Sequence, residues 1–378
     1  MVEILHVSDT HLGFQAYSRL TTDGFNQREV DAQEAFRRAI DHAITDPPDL
    51  VVHSGDLFDV VRPSNRAIAF ALEQVRRLSQ AEIPFVLVSG NHEAPRLRET
   101  GCIFRIFDGL PNVHSVYRGQ YEAITLETRG GPVTVHGVPQ TLAQADFSQE
   151  LLRAQPSGPG TQILVAHGTV AGVDGLFMHE LNELTVPHNA LRPDYDYIAL
   201  GHFHNHRRIG ENAAYAGSTE RTSFSEALEE KVFLRVTLAG GLPRIKAISS
   251  DARPMRDAGI LDAFRFDARQ IADEAAQRLA AVTLPGAIVR LKVSGMEPST
   301  LRTVDVEAIK AAASEALHID LRFEPRLDEH ATQSIPELGS MEAELDAFLS
   351  TRPIVGIDRE LVAAQARIYL RGEADRAA

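Results

Sequence analysis

The sequence has one cysteine, no long apolar run and a shortage of positive charge. Cys102 is the single cysteine among 378 residues, so no internal disulfide can form, and this fits a reducing compartment. No apolar run approaches the roughly 18 residues that a membrane span needs. The first strand begins almost at the N-terminus, which leaves no room for a signal peptide. We therefore expect a cytoplasmic protein with no membrane partner.

The charge balance is acidic. The chain has 38 Lys and Arg residues against 52 Asp and Glu residues, which gives a net charge of −14. This balance counts against nucleic-acid binding, because phosphate contacts need clustered basic side chains. It does not exclude such binding, since a bound metal pair would reverse the local field and a basic partner would supply further contacts. The hydrophobic content of 44% indicates a globular protein of two or three domains.

Five apolar segments each end in Asp, Asn or His. The central one runs from Leu50 through Gly55 to Asp56, and the other four end at Asp9 and His11, at Asn91 and His92, at His167, and at His202 and His204. Ligands bind at the C-terminal edge of the strands in open α/β sheets. Carboxylate, carboxamide and imidazole groups are ligands for divalent metals. The pattern therefore predicts a metal site at this edge, with Asp56 as the residue that bridges two ions.

A single histidine is usually a surface residue or a satisfied core residue. We apply that interpretation to the histidines outside the strand ends: His6, His42, His53, His114, His136, His179, His188, His206 and His318. Asp9 alone would be explained as a helix cap, and Gly90-Asn91 alone as a turn. Five such motifs in consistent order, each closing an apolar strand, argue against coincidence.

Residues 1–250 have the pattern of an α/β body. A helical period covers Gln27–Ala43, and Ser64 is suited to cap a helix that reaches Leu78. Hairpins are predicted around Gly130-Gly131 and around Ala239–Gly241. These signals predict a two-layer β-sandwich core with helices outside it.

A smaller α/β unit is expected over residues 251–327. The predicted elements are a helix at Ile271–Ala281, a strand at Ala287–Ser294, a helix at Val304–Leu317 and a strand with Ile319, Leu321 and Phe323 on one face.

Residues 328–378 are expected to form a polar linker and a helical tail. Two short amphipathic helices are predicted at Ser340–Leu349 and Asp358–Leu370, with Ser340 and Asp358 as N-caps and Gly372 as the stop. Helices this short are not stable alone in water, so they should dock on the body or on another protein.

The strand-end motifs resemble those of the calcineurin-like metallophosphoesterase superfamily. They are Asp9-x-His11, Gly55-Asp56, Gly90-Asn91-His92-Glu93, His167 and Gly201-His202-Phe203-His204. The resemblance implies one ion bound by Asp9, His11, Asp56 and His204. It implies a second ion bound by Asp56, Asn91, His167 and His202. The implied metal is Mn²⁺, with Mg²⁺ as the alternative, and His92 matches the family's catalytic histidine.

Further motifs resemble the DNA-repair exonuclease branch of that superfamily, the SbcD type. They are Asp9–Gly13, Gly55–Asp59 with Arg62–Ser64, and Tyr215–Phe224. The resemblance implies a Mn-dependent exonuclease and endonuclease that acts on DNA ends and hairpins in double-strand-break repair, associated with the nucleoid. Residues 251–327 would be a cap that selects DNA, and residues 328–378 would bind an SbcC-type, SMC-like ABC ATPase. Arg221 and Asp59 are further candidates for substrate binding.

The resemblance also implies a homodimer. The segments that would pair are the predicted Ser64–Leu78 helix and the apolar segment Cys102–Leu110. Packing of both segments against the body's own sheet is the alternative.

Two other functions fit part of the pattern. A phosphatase or nucleotidase would use the same metals on a small phosphate ester; the acidic charge balance favours it, and Gly217–Phe224 and the tail oppose it. A scaffold protein with a vestigial site is disfavoured, because every expected ligand is present.

Overall fold

Two six-stranded sheets form the centre of the structure, a computed structural model that describes residues 1–95, 100–173, 183–326, 345–346, 348–349 and 359–370. The strands of the first sheet, in spatial order, are Arg244–Ser249 (β14), Val232–Leu238 (β13), Val2–Val7 (β1), Leu50–His53 (β2), Phe85–Val88 (β3) and Val113–Val116 (β4). Those of the second sheet are Arg207–Ile209 (β11), Ala213–Tyr215 (β12), Tyr197–Gly201 (β10), Thr161–His167 (β7), Gly131–Val138 (β6) and Glu122–Thr128 (β5).

Parallel pairing brings the C-terminal ends of the central strands to one edge. Strands β1 to β4 are parallel neighbours, and so are β6, β7 and β10. The two predicted hairpins are confirmed as the antiparallel pairs β5/β6 and β13/β14. A short parallel pair, Thr169–Val170 (β8) and Thr185–Val186 (β9), lies beside this edge. The predicted sandwich of two β layers is therefore confirmed.

Apolar packing holds the two layers together and fixes the helices outside them. Val52 and Val86 of the first sheet and Val135 and Val165 of the second share one buried cluster between the layers. The helices Gln27–Thr45 (α1) and Asn65–Gln80 (α2) cover the outer face of the first sheet through a second cluster. Ser64 caps α2 as predicted, because its side chain accepts a hydrogen bond from the Ala67 amide at 3.1 Å. Helix Gln144–Arg153 (α3) packs on the second sheet.

A third sheet with its own core lies beyond the sandwich. Its parallel strands are Met255–Asp262 (β15), Ile288–Ser294 (β16) and His318–Glu324 (β17). Its helices are Ala268–Val282 (α4), Pro298–Leu301 (α5) and Val306–Ala311 (α6). Ile319, Leu321 and Phe323 pack on this core from one face of β17, as the alternation predicts.

The helix predicted over Val304–Leu317 is present but shorter than predicted. Helix α6 begins after Asp305, whose side chain caps it, and it ends at Ala311. Leu317 donates its amide hydrogen to the Ala287 carbonyl at 2.8 Å, which draws the chain into β17 and prevents the helix from continuing. Strand β15 was not predicted, because a register shift between Asp257 and Ile260 interrupts its alternation.

One helix of the tail, Arg359–Leu370, is described and lies within the predicted range. Asp346 forms an ion pair with Arg367 of this helix at 2.5 Å. The predicted caps Ser340 and Asp358 and the predicted stop Gly372 lie outside the described residues. Within the part of the chain that the structure describes, no helix is long and apolar enough to cross a membrane.

Candidate metal centre

The predicted ligands meet where five strands end. The residues are Asp9 and His11 after β1, Asp56 after β2, Asn91 after β3, His167 at the end of β7, and His202 and His204 after β10. All five strands run in the same direction in their sheets, so their C-terminal ends share one edge. The C-terminal edge of the first sheet faces the C-terminal edge of the second sheet, and both edges contribute predicted ligands to the same site.

Among the described residues, three groups of donor atoms form at this edge, and two of them contain predicted ligands alone. Asp9, His11 and His204 offer atoms within 4.8 Å of one another, and so do Asp56, His167 and His202. The His11 and His204 Nε2 atoms are 3.0 Å apart. The Asn91 Oδ1 atom lies 2.9 Å from His167 Nε2 and 3.3 Å from His202 Nδ1.

Asp56 lies between the two groups. Its Oδ2 atom is 3.1 Å from His167 Nε2 and 4.0 Å from His11 Nε2. A carboxylate in this position could be shared by two ions. Buried and half-buried imidazole nitrogens, carboxylates and one amide oxygen converge on one place and fit a pair of divalent transition-metal ions.

Tight turns hold the ligands in place. Asp9, His11 and Asp56 all have left-handed backbone conformations, with φ between +45° and +54°. The Asp9 amide donates to the Gly55 carbonyl and the His11 amide to the Asp56 carbonyl, both at 3.1 Å, which ties the two turns together. A Cβ atom at Gly55 would lie 2.2 Å from His167 Nδ1, so only glycine fits here.

Asp56 and His167 shift each other's pKa at the centre of the site. Burial opposes ionisation of Asp56, but the adjacent His167 imidazole outweighs burial and holds the pKa of the Asp56 carboxyl well below its usual range. Burial likewise lowers the pKa of His167, but the Asp56 carboxylate outweighs it and raises that pKa to about 9. The protein thus keeps a positive charge next to Asp56, where a metal ion would replace the proton.

His92 lies beside these groups and has a separate environment. Its amide donates to Asp56 Oδ1 at 3.0 Å, its Nδ1 contacts the Asp59 carbonyl, and its Nε2 lies 3.9 Å from Asp56 Oδ2. Its side chain is 24% exposed, whereas those of Asp56 and His167 are buried. The His92 side chain is therefore more accessible than those of Asp56 and His167.

Glu93 supports the turn that carries Asn91 and His92. Its carboxylate accepts hydrogen bonds from the amides of Asp56, Phe58 and Gly90 at 2.8 to 3.1 Å. Burial and the Asp56 charge raise the pKa of Glu93 to about 7, although these amide bonds act in the opposite direction. Sequence reasoning missed this role, for which the signal was a Glu three residues after Gly90.

The two further candidates for substrate binding have other contacts. Asp59 Oδ1 lies 3.3 Å from His11 Nδ1, so the Asp59 carboxylate lies next to the imidazole of a predicted ligand. The Arg221 guanidinium donates to the carbonyls of Glu229, Arg253 and Ala252 at 2.6, 3.0 and 3.4 Å. These bonds join the sandwich to the start of the third sheet and favour a structural role for Arg221.

A cavity of about 630 Å³ opens at the centre, and Asp56, His92 and His202 contribute to its wall. Two carboxylates that sequence reasoning missed, Glu183 and Glu226, also line it. Neither residue ends a strand, so no strand-end pattern identifies it.

The family model described as calcineurin-like phosphoesterase matches residues 2–206. The chain therefore belongs to the calcineurin-like phosphoesterase family, whose members bind divalent metals, and the clustered His and Asp residues are the candidate ligands.

Within that family, the chain resembles DNA double-strand break repair proteins named Mre11. It is 34% identical over 228 residues to that of Thermoplasma acidophilum, which covers 59% of this chain and 57% of the relative. It is 29% identical over 269 residues to that of Saccharolobus solfataricus, which covers 68% of this chain and 65% of the relative. The chain thus spans less than two thirds of these relatives. The calcineurin-like phosphoesterase YfkN of Bacillus subtilis aligns with 66% of this chain and 90% of its own, at 12% identity and a TM-score of 0.40.

Proposed function

We propose that this protein is a metal-dependent DNA nuclease that hydrolyses phosphodiester bonds. The observation that carries the proposal is the convergence of seven buried or half-buried candidate ligands near a cavity beside His92. Similarity to the Mre11 repair proteins supports DNA as the substrate. With DNA as its substrate, the protein would work on the nucleoid in the cytoplasm.

The proposed centre holds two Mn²⁺ ions. Asp9, His11, Asp56 and His204 would hold one ion, and Asp56, Asn91, His167 and His202 the other. Mn²⁺ is preferred to Mg²⁺ because Mg²⁺ favours oxygen ligands and several waters, whereas this set contains four imidazoles. When bound, two such ions supply Lewis-acid activation and neutralise charge in an in-line displacement.

His92 is the proposed proton donor. Its Nδ1 contacts the Asp59 carbonyl, and its Nε2 atom lies 3.9 Å from Asp56 Oδ2 at the centre of the site. In its protonated form His92 donates that proton to the leaving oxygen, or hydrogen-bonds a phosphoryl oxygen as charge develops on it.

An assay on four substrates tests the proposal. The purified chain with Mn²⁺ should cleave linear plasmid ends, DNA hairpins and a chromogenic phosphate diester in preference to the matching monoester, and an Asp56→Asn variant should cleave none of them. Cleavage of the monoester alone would establish the rival phosphatase or nucleotidase function, which the acidic charge balance of −14 favours.

We further propose that the third sheet and its helices select DNA and that residues 328–378 bind an SbcC-type ATPase. The described part of the tail exposes apolar side chains: Phe348 is 53% exposed and Leu361 is 70% exposed. Apolar groups on a short helix fit a groove on a partner protein. Deletion from Ser334 onward should abolish co-purification with the ATPase and leave Mn²⁺-dependent cleavage of short single strands intact. Undiminished co-purification would refute this assignment.

A homodimer is the remaining part of the proposal. A groove of about 530 Å³ lies between the start of α2 and the 3₁₀ turn Ile103–Phe107, and Ile68, Ile103 and Ile106 line it. Light scattering at micromolar concentration should show twice the monomer mass, and an Ile68→Glu variant should shift the mass to that of the monomer. A parent protein that is purely monomeric would contradict the dimer.

A further inference from the structure

We propose that Glu226 and Glu183 are positioning residues, each of which orients a histidine ligand of a different metal ion. This inference deepens the proposed function and rests on its dinuclear centre. Glu226 acts through His204, and Glu183 acts through His202.

Every histidine assigned to the centre has an oxygen atom near the ring nitrogen that points away from the other ligands. The pairs are His11 Nδ1 with Asp59 Oδ1 at 3.3 Å, His167 Nδ1 with the Ser54 carbonyl at 2.8 Å, His202 Nε2 with Glu183 Oε1 at 3.4 Å, and His204 Nδ1 with Glu226 Oε1 at 3.2 Å. A hydrogen-bond acceptor in this position fixes the tautomer and the ring orientation, and a carboxylate also raises the basicity of the ligating nitrogen. The His11 Nδ1 atom forms no hydrogen bond with any residue that the structure describes, so this effect does not extend to the His11–Asp59 pair.

Glu226 is held in place for this role. It is 5% exposed. Its Oε1 atom accepts a hydrogen bond from Thr222 Oγ1 at 2.7 Å and contacts His204, while Oε2 pairs with Lys231 Nζ at 2.5 Å. These contacts hold the carboxylate against the imidazole of His204. The Nε2 atom of His204 is left to face His11 Nε2 at 3.0 Å.

Lys231 makes the burial of this carboxylate feasible. It is 2% exposed and compensates the Glu226 charge, which would be costly to bury alone. Its Nζ also donates to the carbonyl of His204 at 2.8 Å. The same ion pair thus fixes both the side chain and the backbone of one ligand.

Glu183 has the corresponding position on the other side of the centre. It is 7% exposed, and Thr169 Oγ1 lies 3.4 Å from its Oε2 atom. His202 is turned the opposite way from His204, because its Nδ1 faces Asn91 Oδ1 and its Nε2 faces Glu183. The two carboxylates therefore select opposite tautomers, with the proton on Nε2 of His202 and on Nδ1 of His204.

Calorimetric titration with Mn²⁺ tests the inference, with bound metal counted by mass spectrometry. Glu226→Gln should weaken the binding of the ion held by His204 by roughly 10- to 100-fold and leave the affinity for the ion held by His202 unchanged. Glu183→Gln should weaken the binding of the ion held by His202 and leave the affinity for the ion held by His204 unchanged. The matched control is Glu230→Gln, which removes a charge from an exposed residue of the same segment and should bind both ions as the parent does. The electron spin resonance spectrum of Mn²⁺ should change from that of a coupled pair in the parent to that of isolated ions in each of the first two variants.

Double variants identify the ion that each carboxylate serves. Glu226→Gln should have no further effect on metal binding once His204 is Ala, and its full effect when His202 is Ala. An equal effect in both backgrounds would overturn the assignment. The circular dichroism and the melting temperature of the metal-free variants should match those of the parent. If Glu226→Gln fails to fold, the double variant with Lys231→Met removes both buried charges and should lose the same ion.

Two outcomes separate this inference from the proposed function. Parent protein that binds two ions but cleaves no DNA would contradict the nuclease proposal alone. Parent protein that cleaves DNA, together with Glu226→Gln and Glu183→Gln variants that bind both ions at the parent affinity, would overturn the positioning roles alone.

Discussion

Several ligands occupy backbone conformations that side chains other than glycine rarely adopt. Asp9, His11 and Asp56 have φ near +50°, and His202 has φ of +99°. Such conformations persist only where surrounding contacts enforce them, and they cluster at functional sites. Here the His202 amide donates to Asp9 Oδ1 at 3.0 Å, which ties the strained turn after β10 to the one after β1. Contacts within the fold thus fix the backbone of these candidate ligands.

Asp56→Asn should remove most of the bound metal, because the substitution weakens the binding of both proposed ions. An ion that binds only the folded state raises its stability by mass action. Mn²⁺ should therefore raise the melting temperature of the parent protein and leave that of the variant almost unchanged. A similar rise in both proteins, measured by scanning fluorimetry, would show that Asp56 does not bridge the ions.

His92→Ala should retain near-normal metal content and lose turnover. Removal of a positioned proton donor or oxyanion partner costs roughly 100- to 1,000-fold in rate. The His92 ring also belongs to a group with His11 and Asp56 whose donor atoms lie within 4.8 Å of one another. Metal analysis decides between the two roles, because loss of one ion from the variant would identify His92 as a ligand.

At the level of elements, the sequence predicted those features whose signal is local. Each strand-end motif is a few residues long and can be recognised locally. Once the strands are known to be parallel, these motifs predict that Asp9, Asp56 and His167 lie close together. The contacts of Glu226 and Glu183 join segments distant in sequence, and no spacing rule reveals them. The same limit explains why the helix predicted over Val304–Leu317 is shorter than expected, since Leu317 pairs with Ala287.

A buried ion network joins three elements near the site. Arg28 of α1 pairs with Asp31 at 2.5 Å and with Glu220 at 3.1 Å. Asp31 also pairs with Arg253 at 2.5 Å, and Arg253 donates to the Gly286 carbonyl at 2.7 Å. The network therefore connects α1, the segment before Glu226 and the third sheet.

Arg28→Met should destabilise the protein strongly. Arg28 is 1% exposed and Glu220 is 4% exposed, so removal of the guanidinium leaves buried carboxylates short of a partner. Breaking a buried pair in this way costs about 3 to 5 kcal/mol. Urea unfolding measures the loss. The control is Arg269→Met, because Arg269 is 90% exposed and surface ion pairs contribute little. Equal stability of the two variants would show that the network is dispensable.

At the scale of the whole molecule, the two sheets are joined by a buried polar contact as well as by apolar packing. His6 of β1 bonds Tyr197 of β10 through Nδ1 at 2.9 Å and Ser54 through Nε2 at 2.8 Å. The ring is completely buried, and burial together with the nearby His53 and His206 lowers the pKa of His6 to about 3. The predicted interpretation of His6 as a satisfied core histidine agrees with these bonds.

This buried histidine should make the fold sensitive to acid. His6 stays neutral in the folded state down to a pH of about 3 but takes up a proton below about 6.5 in the unfolded chain. Because the unfolded state then binds more protons, the contribution of His6 to the stability of the fold decreases as the pH drops from 6.5 towards 3. Between pH 7 and pH 5 the loss amounts to about 2 kcal/mol.

The His6→Gln variant isolates this contribution, because other groups titrate alike in parent and variant. Urea unfolding of the metal-free proteins should show that the parent loses about 2 kcal/mol more than the variant between pH 7 and pH 5. The exposed His188 supplies the control, and His188→Gln should follow the parent over the same range. If parent and His6→Gln lose stability equally, His6 is protonated inside the folded protein, and the contact between the sheets accepts the charge.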